Sequence, residues 1–290
     1  QLTEAYNADP KSFDKVSYEV IRVNGAADTT DEDGNTIDVT DEMTQQAMAD
    51  AKASADSMYT AWMAGSDPSE LVDNDKSTYT STDAGAWSDS IMMNWLFDDA
   101  RKAGDSTVLE DTDNSYYYVV LFHDRFREDY NTVDVRHILI QPEATTFSED
   151  DEGYDADVQA KKDAAKQKAE DLLAQWKAGD ATEDSFAELA NENSADSGSN
   201  TNGGLYSQVH QGQMVDAFND WCFDPARKAG DTGIVETDYG YHIMYFVGTD
   251  LPYWQVQVED TLKNDDFNTW YTEKTADYTA EQSSFGVRFV

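Results

Sequence analysis

The reading turns on Ser194–Phe246, SADSGSNTNGGLYSQVHQGQMVDAFNDWCFDPARKAGDTGIVETDYGYHIMYF. A polar, glycine-rich loop leads into a run with Met214, Phe218 and Phe223 at helix-like spacing, where a short helix is expected. Ala229-Gly230-Asp231 interrupts it, a short strand Gly233–Glu236 follows, and Tyr241–Val247 reads as an apolar strand carrying His242. A second histidine, His137, lies upstream in another strand-like run, VDVRHILI. Two histidines on apolar strands, beside a Met/Phe pair on a short helix, describe a small apolar cup with a polar floor.

The rest of the chain bounds what such a cup could serve. With 290 residues and 32.4 kDa there is length for two modest domains, and 39% hydrophobic and 12% aromatic content can supply their cores. The net charge of −39 and pI near 4.1 argue against nucleic acid as a partner, because its phosphates repel such a surface. Solvated faces that keep the protein soluble account for the acidity; an ion-rich habitat, or a surface kept off anionic wall polymers, is the sharper alternative. The single cysteine, Cys222, allows no intrachain disulfide, and its place in Trp221-Cys222-Phe223 suits a small buried hydrophobe. No run has the length of a membrane span and Gln1 begins no signal peptide, so the chain reads as a mature or trimmed form. No histidine, cysteine or carboxylate spacing suggests a metal site, and no cofactor is expected.

Toward the N-terminus, residues 1–15 form a polar lead-in with little to build a core, and Ser17–Asn24 reads as a strand. The acidic connection DTTDEDGNTIDVTDE lacks the ligand spacing of a calcium loop; Asp33-Gly34 suits a tight turn in a solvated hairpin. Glu42–Ala64 and Val158–Ala178 carry apolar residues at helical spacing, and AWMAG and QWKAG end them alike, with Gly65 and Gly179 as stops. WLFDDARKAGDSTVLE (Trp95–Glu110) matches WCFDPARKAGDTGIVE (Trp221–Glu236), SYYYVVLF matches GYHIMYFV, and the entry strands KSFDKVSYEVIRV and EDYNTVDVRHILI match as well. Similarity over such a span means duplicated domains rather than a solenoid. In the earlier copy the position matching His137 is Val20, and the one matching His242 is Tyr116 or Tyr117. That copy keeps its framework and loses the polar floor, so it reads as non-catalytic. The final stretch holds Trp254, Val258, Leu262, Phe267, Trp270, Tyr271 and Tyr278, more aromatic surface than a solvated linker needs.

RHILI (Arg136–Ile140), SAD (Ser194–Asp196), NGG (Asn202–Gly204), GQMVDAF (Gly212–Phe218), KAGD (Lys228–Asp231) and YGYHI (Tyr239–Ile243) together resemble the parvulin peptidyl-prolyl cis/trans isomerases, in particular extracytoplasmic foldases of the PrsA and SurA kind. The departure is at the rim, where the glycine pair runs straight into Leu205-Tyr206 and the turn before Gln213 is long. The resemblance implies an α+β fold of two tandem parvulin-like domains of the FKBP-like superfold. Each would be a four-stranded, mainly antiparallel sheet packed by helices, followed by a helical tail. Its spans would be 1–15 (lead-in), 16–125 (degenerate, non-catalytic), 126–250 (isomerase) and 251–290 (aromatic tail). It implies catalytic roles for His137, Asp196 and His242 and substrate contacts from Met214 and Phe218, with Tyr206 and Thr237 as weaker candidates for the pocket wall. His123 and His210 read as surface residues. The implied partners are proline-containing unfolded or exported polypeptides outside the cytoplasm, with a membrane anchor beyond this stretch of chain.

Each of these residues also has a plain structural reading. A lone histidine on an apolar strand is ordinarily a satisfied core residue, a Met/Phe pair at helical spacing is ordinarily core, and an aspartate in a Ser/Gly/Asn loop is ordinarily a turn former. The assembled pattern favours function for the histidines and the Met/Phe pair, and leaves Asp196 between the two. Phosphate-directed isomerases need a basic cluster to receive the charge, and QPEATTFSEDDEGYDAD after His137 contains no Lys or Arg, so phosphorylated Ser/Thr-Pro substrates are expected to be disfavoured. A chaperone that holds unfolded chains, with isomerisation vestigial, is the alternative.

Overall fold

The computed structural model describes residues 1–31, 33–73, 75–276 and 278 and divides into two compact units, Gln1–Glu128 and Asp129–Val290. The fold is mixed α+β, with one four-stranded antiparallel sheet in each unit.

In the first unit the strands are β1 (Lys15–Asn24), β2 (Ser77–Ala86), β3 (Ser106–Asp111) and β4 (Tyr116–Phe126), ordered β2-β1-β4-β3. One face of the sheet packs Ile21, Val23, Tyr117 and Val119 against Ala51, Ala55 and Trp62 of α2 (Asp41–Met63). The other packs Val16, Tyr18, Val20, Val120 and Phe122 against Met93 and Leu96 of α3 (Ile91–Leu96). The lead-in is less idle than its polarity suggests. Leu2–Ala8 forms α1, Phe13 and Asp14 are buried, and Asp14 receives hydrogen bonds from Tyr6 (2.5 Å) and Arg125 (2.8 Å). The hairpin expected at Asp33-Gly34 reduces to an isolated Thr30–Thr36 bridge, with Gly34 at φ +82° in the turn.

The second unit repeats the strand order as β6-β5-β8-β7, from β5 (Asn131–Ile140), β6 (Leu205–Val209), β7 (Thr232–Thr237) and β8 (Gly240–Pro252). The two central strands are covered on both faces, which is why VDVRHILI and YHIMYF read as nearly continuous apolar runs instead of alternating ones. On one face Ile138, Ile140, Tyr241 and Ile243 pack against Ala165, Ala169, Leu173 and Trp176 of α4 (Tyr154–Ala178) and Phe186 and Ala190 of α5 (Glu183–Asn193). Thr182 and Ser185 close α5's first turn with a reciprocal capping box. On the other face Val133, Val135, Val235, Met244 and Phe246 meet Phe218 and Cys222 of α6 (Asp216–Cys222). Cys222 is indeed a buried hydrophobe, and burial pushes its thiol up to about 12. The long α7 (Tyr253–Thr275) buries Trp254, Val256 and Val258 in its first turns and leaves Phe267, Trp270 and Tyr271 exposed beyond them. The expected tail continues into 279–290, outside the described residues.

The repeated WxFDxARKAGD segments fold alike. Arg101 lies 4.4 Å over the Trp95 ring, with Asp98 and Asp105 beside it; Arg227 lies 3.9 Å over Trp221, with Asp224 and Asp231 beside it. Strand pairing corrects one expected correspondence. Val20 pairs with Val120 and Arg22 with Tyr118, as His137 pairs with Met244 and Leu139 with His242. The counterpart of His242 is therefore Tyr118, not Tyr116 or Tyr117. The β3–β4 turn spans Asp111 to Tyr116 where the β7–β8 turn needs only Thr237 to Gly240, and the longer turn absorbs the shift.

Candidate active site

The candidate site lies on the α6 face of the second sheet. His137 on β5 and His242 on β8 point to this face from neighbouring strands, offset by two residues. Both are buried, 3% and 6% exposed, and their rings stack at 5.2 Å with an Nδ1–Nδ1 separation of 3.0 Å. Phe218 stands in a T-shaped contact with both imidazoles, at 5.4 and 5.5 Å between centroids.

The loop from Ser194 to Gly204 closes one end of this pair, and its glycines explain how. Gly204 has φ +69° and its carbonyl accepts from the His137 N–H at 2.9 Å; a Cβ there would strike the His137 carbonyl oxygen. Gly203 also packs closely, against Ala187 and the Arg136 guanidinium, which also donates to the Asn202 and Gly203 carbonyls. Held this way, the loop brings Asp196 Oδ2 to 2.8 Å from His137 Nε2. The same oxygen accepts from Ser199 Oγ at 2.5 Å and from the Tyr206 hydroxyl at 2.9 Å, while Oδ1 accepts from the Gly198 N–H at 3.1 Å. At the other end Thr237 Oγ1 lies 2.9 Å from His242 Nε2.

These surroundings set the charges. Burial pushes the His137 imidazole below its ordinary range, against the opposing pull of Asp196. Burial, with repulsion from His137, takes His242 down to about 4. Burial alone would raise the Asp196 carboxyl, but donation from Ser199, His137, Gly198 and Tyr206 outweighs it and brings the group to about 2. At neutral pH the site therefore holds two neutral imidazoles and one carboxylate.

Of the residues singled out in the sequence, His137, His242, Asp196, Tyr206, Thr237 and Phe218 come together in one cluster. Met214 joins its apolar side, partly buried, from a different setting than expected. α6 begins only at Asp216, so Met214 sits in the bend before the helix and not one turn below Phe218. His123 and His210 lie at the surface, partly exposed and each with a partner: His123 is 2.9 Å from Glu19, and His210 stacks on Tyr253 at 4.6 Å. The sequence reading missed Ser199, which is fully buried between Asp196 and His137. Its only signal was position in a Ser/Gly/Asn loop, where a serine ordinarily turns the backbone. Among the described residues, no group of three or more His, Cys, Asp or Glu is placed to hold a metal ion.

Residues 116–248 match the PPIC-type PPIASE domain. The match to this isomerase domain runs from β4 through β8 and includes every residue of the cluster. Over 115 residues the chain is 30% identical to foldase protein PrsA 1 of Listeria innocua, covering 40% of this chain and 30% of that protein. Over 157 residues it is 30% identical to foldase protein PrsA of Caldanaerobacter subterraneus, covering 53% and 42% respectively. The chain thus spans less than half the length of these curated relatives. Among solved structures, PrsA from Bacillus subtilis aligns over 55% of each chain at 23% identity, with a TM-score of 0.33.

Proposed function

We propose that the chain is a peptidyl-prolyl cis/trans isomerase and foldase for exported proteins, with catalysis in the second unit. The observation that carries this is the buried, stacked His137–His242 pair in T-shaped contact with Phe218, inside the segment that matches the isomerase domain.

The chemistry asks for little else. The prolyl amide keeps a rotation barrier of roughly 18–20 kcal/mol, and a catalyst must bind the twisted amide better than either planar form. An apolar seat for the prolyl ring strips water from the carbonyl, and the charge-separated planar resonance form loses most by that. In this reading Met214, with Phe218 behind it, seats the ring. His137 and His242 form the rigid floor, Tyr206 and Thr237 flank it, and Asp196 tunes the histidines. Phe218 is only 3% exposed, so the ring rests chiefly on the more exposed Met214. Phosphorylated substrates are disfavoured: the guanidinium of Arg136, next to His137 in the chain, is committed to Glu183 at 2.9 Å and to two loop carbonyls.

We read the first unit as a degenerate, non-catalytic copy of the same fold. Its matching strand order and Trp–Arg–Asp clusters support duplication, and Val20 and Tyr118 stand where the histidines would be. The spans are then 16–125 and 126–250, flanked by the lead-in 1–15 and the tail 251–290. The site of action is extracytoplasmic, by analogy with the foldases it resembles, with any membrane anchor outside this stretch. No described helix is long and apolar enough to cross a membrane. A second role, holding unfolded chains, is favoured by the aromatic patch Phe267, Trp270 and Tyr271, each more than half exposed.

The test is cis/trans exchange on an Ala-Pro peptide, measured by NMR without a coupled protease. The wild type accelerates exchange, and His242→Ala and Phe218→Ala reduce it at least tenfold. A wild type without acceleration removes the enzyme reading; unaffected variants remove the site assignment. Suppression of aggregation by an inactive variant supports the holding role.

A further inference from the structure

Beside the β7–β8 turn a cleft of about 330 Å³ opens against the start of α6, lined by Val215, Asp216, Ala217, Thr237 and Asp238. It adjoins the candidate site from both sides. Thr237 Oγ1 is 2.9 Å from His242 Nε2, and Val215 follows Met214 in the chain. A segment whose proline rests on Met214 has a flanking residue within reach of this cleft, because one residue of extended chain spans about 3.5 Å.

The cleft carries charge of one sign. Asp216 and Asp238 are exposed, and neither carboxylate has a hydrogen bond or ion pair with another of the described residues. An aspartate in a turn ordinarily closes it by accepting from the backbone, but here the Thr237 hydroxyl accepts from the Tyr239 N–H at 3.1 Å. Asp216 stands in the first turn of α6, where complementing the helix dipole is the one structural duty left to it. Among the described residues no lysine or arginine lines the cleft. Lys162 of α4 lines a second recess on the α4 side of the turn, which it shares with Glu236 and Asp238, so even there two carboxylates answer one cation.

The first unit has an acidic cleft at the matching place. Between the start of α3 and the β3–β4 turn, about 460 Å³ is lined by Asp89, Glu110, Asp111 and Asp113, again without a described lysine or arginine. Val20 and Tyr118 stand there instead of the histidines, so these carboxylates serve no imidazole floor. What the two clefts share is the capacity to receive positive charge. In the second unit a lysine or arginine can also lay its aliphatic stem on Val215, 42% exposed, and on Ala217.

We propose that Asp216 and Asp238 are specificity-determining residues of the second unit's site, and that they select polypeptides with a lysine or arginine directly flanking the proline. The catalytic consequence rests on the isomerase reading above; the charge preference of the cleft does not.

The experiment measures catalysed cis/trans exchange by NMR in two end-capped peptides, Ala-Lys-Pro-Lys-Ala and Ala-Glu-Pro-Glu-Ala. Wild type at low salt favours the lysine peptide about tenfold, the scale of two exposed charge contacts, and the ratio shrinks at about 0.5 M sodium chloride. In Asp216→Asn/Asp238→Asn the ratio falls below about threefold, and in Asp216→Lys/Asp238→Lys it inverts. Because the ratio is taken within each protein, a change in the stability of α6 drops out of it. Asp265→Asn/Asp266→Asn removes two exposed carboxylates of α7 that line no part of the cleft, and it keeps the wild-type ratio. A wild-type ratio near one overturns the proposal, as does a ratio that survives in the double asparagine variant. An equal fall in the α7 variant overturns it too, because the charge of the whole chain would then be the cause. If neither peptide's exchange is accelerated, the isomerase reading falls, and ¹⁵N titrations of the full chain with the same two peptides decide the charge preference. Tighter binding of the lysine peptide, with shifts at the Ala217 and Thr237 amides, upholds it; equal affinities, or shifts confined to other residues, overturn it.

Discussion

His242 shows how far a single residue can be read before its surroundings are known. Its strand and its kinship with His137 were visible in YGYHI and RHILI, because apolar runs flanked by turn residues announce strands. Ser199 was not visible, since its worth lies in two partners brought to it by a folded loop. The neutral state of His242 has a consequence for stability. Its folded pKa, about 4, lies below the ordinary value of 6.5, so the unfolded chain takes up a proton first as pH falls. The stabilising contribution is complete above pH 6.5 and is lost as pH drops toward 4, by roughly 3 kcal/mol at most. Urea titrations of the wild type and His242→Phe across this window test it, and parallel losses in the two proteins would rule out the histidine as their source. Asp196 adds a second, lower window: its carboxyl is held at about 2, so its contribution survives until pH falls below 3.8. Ser199→Ala should move that carboxyl upward and cost about 1–3 kcal/mol, because Asp196 loses a charge-assisted donor in a buried place. A ¹³C titration of Asp196 unchanged by the substitution would refute this.

Among the elements, the regular ones were legible and the caps and bends were not. The helices α2 and α4 announced themselves by alanines and aromatics at three-to-four spacing, and they begin within a turn of where that periodicity starts. α6 did not, because Met214 continues the apolar spacing of Phe218 while the backbone at Val215 is still extended. Pattern alone cannot separate a helical residue from one that packs on the helix from the preceding bend. The glycine pair before β6 is the most consequential irregular element. At Gly204 an alanine would need φ +69° and would also push its Cβ into the His137 carbonyl. Gly204→Ala is expected to destabilise the second unit by about 2–4 kcal/mol, the strain of a left-handed residue plus a displaced loop. Because the loop carries Asp196 and Ser199, the variant should also disturb the contact between Asp196 and His137. A melting temperature within a degree of wild type would show that the loop can retreat without cost.

For the molecule as a whole, the two-unit plan was foreshadowed by the repeated WxFDxARKAGD, since a motif that stacks Arg on Trp between two aspartates needs the same neighbours each time it occurs. The register of the first sheet was harder to read, as the turn before β4 is two residues longer than the one before β8 and only strand pairing shows Tyr118 opposite Arg22 as His242 is opposite Leu139. Charge acts at this largest scale. The chain carries 59 acidic and 20 basic residues, so most carboxylates have no cation to pair with. Among the described residues, exposed pairs such as Lys52–Asp56 and Lys263–Glu259 contribute about 1 kcal/mol or less each, and they leave most of the mutual repulsion among carboxylates uncompensated. Folding brings those carboxylates closer together than they are in the expanded chain, and mobile ions screen them over about 10 Å at 0.1 M salt. Added sodium chloride should therefore stabilise the folded state, raising the melting temperature by several degrees between about 0.02 M and 0.5 M. Sodium and potassium should act equally if screening is the cause. A flat or falling dependence would mean that attractive pairs, not repulsion, dominate the electrostatics of the fold.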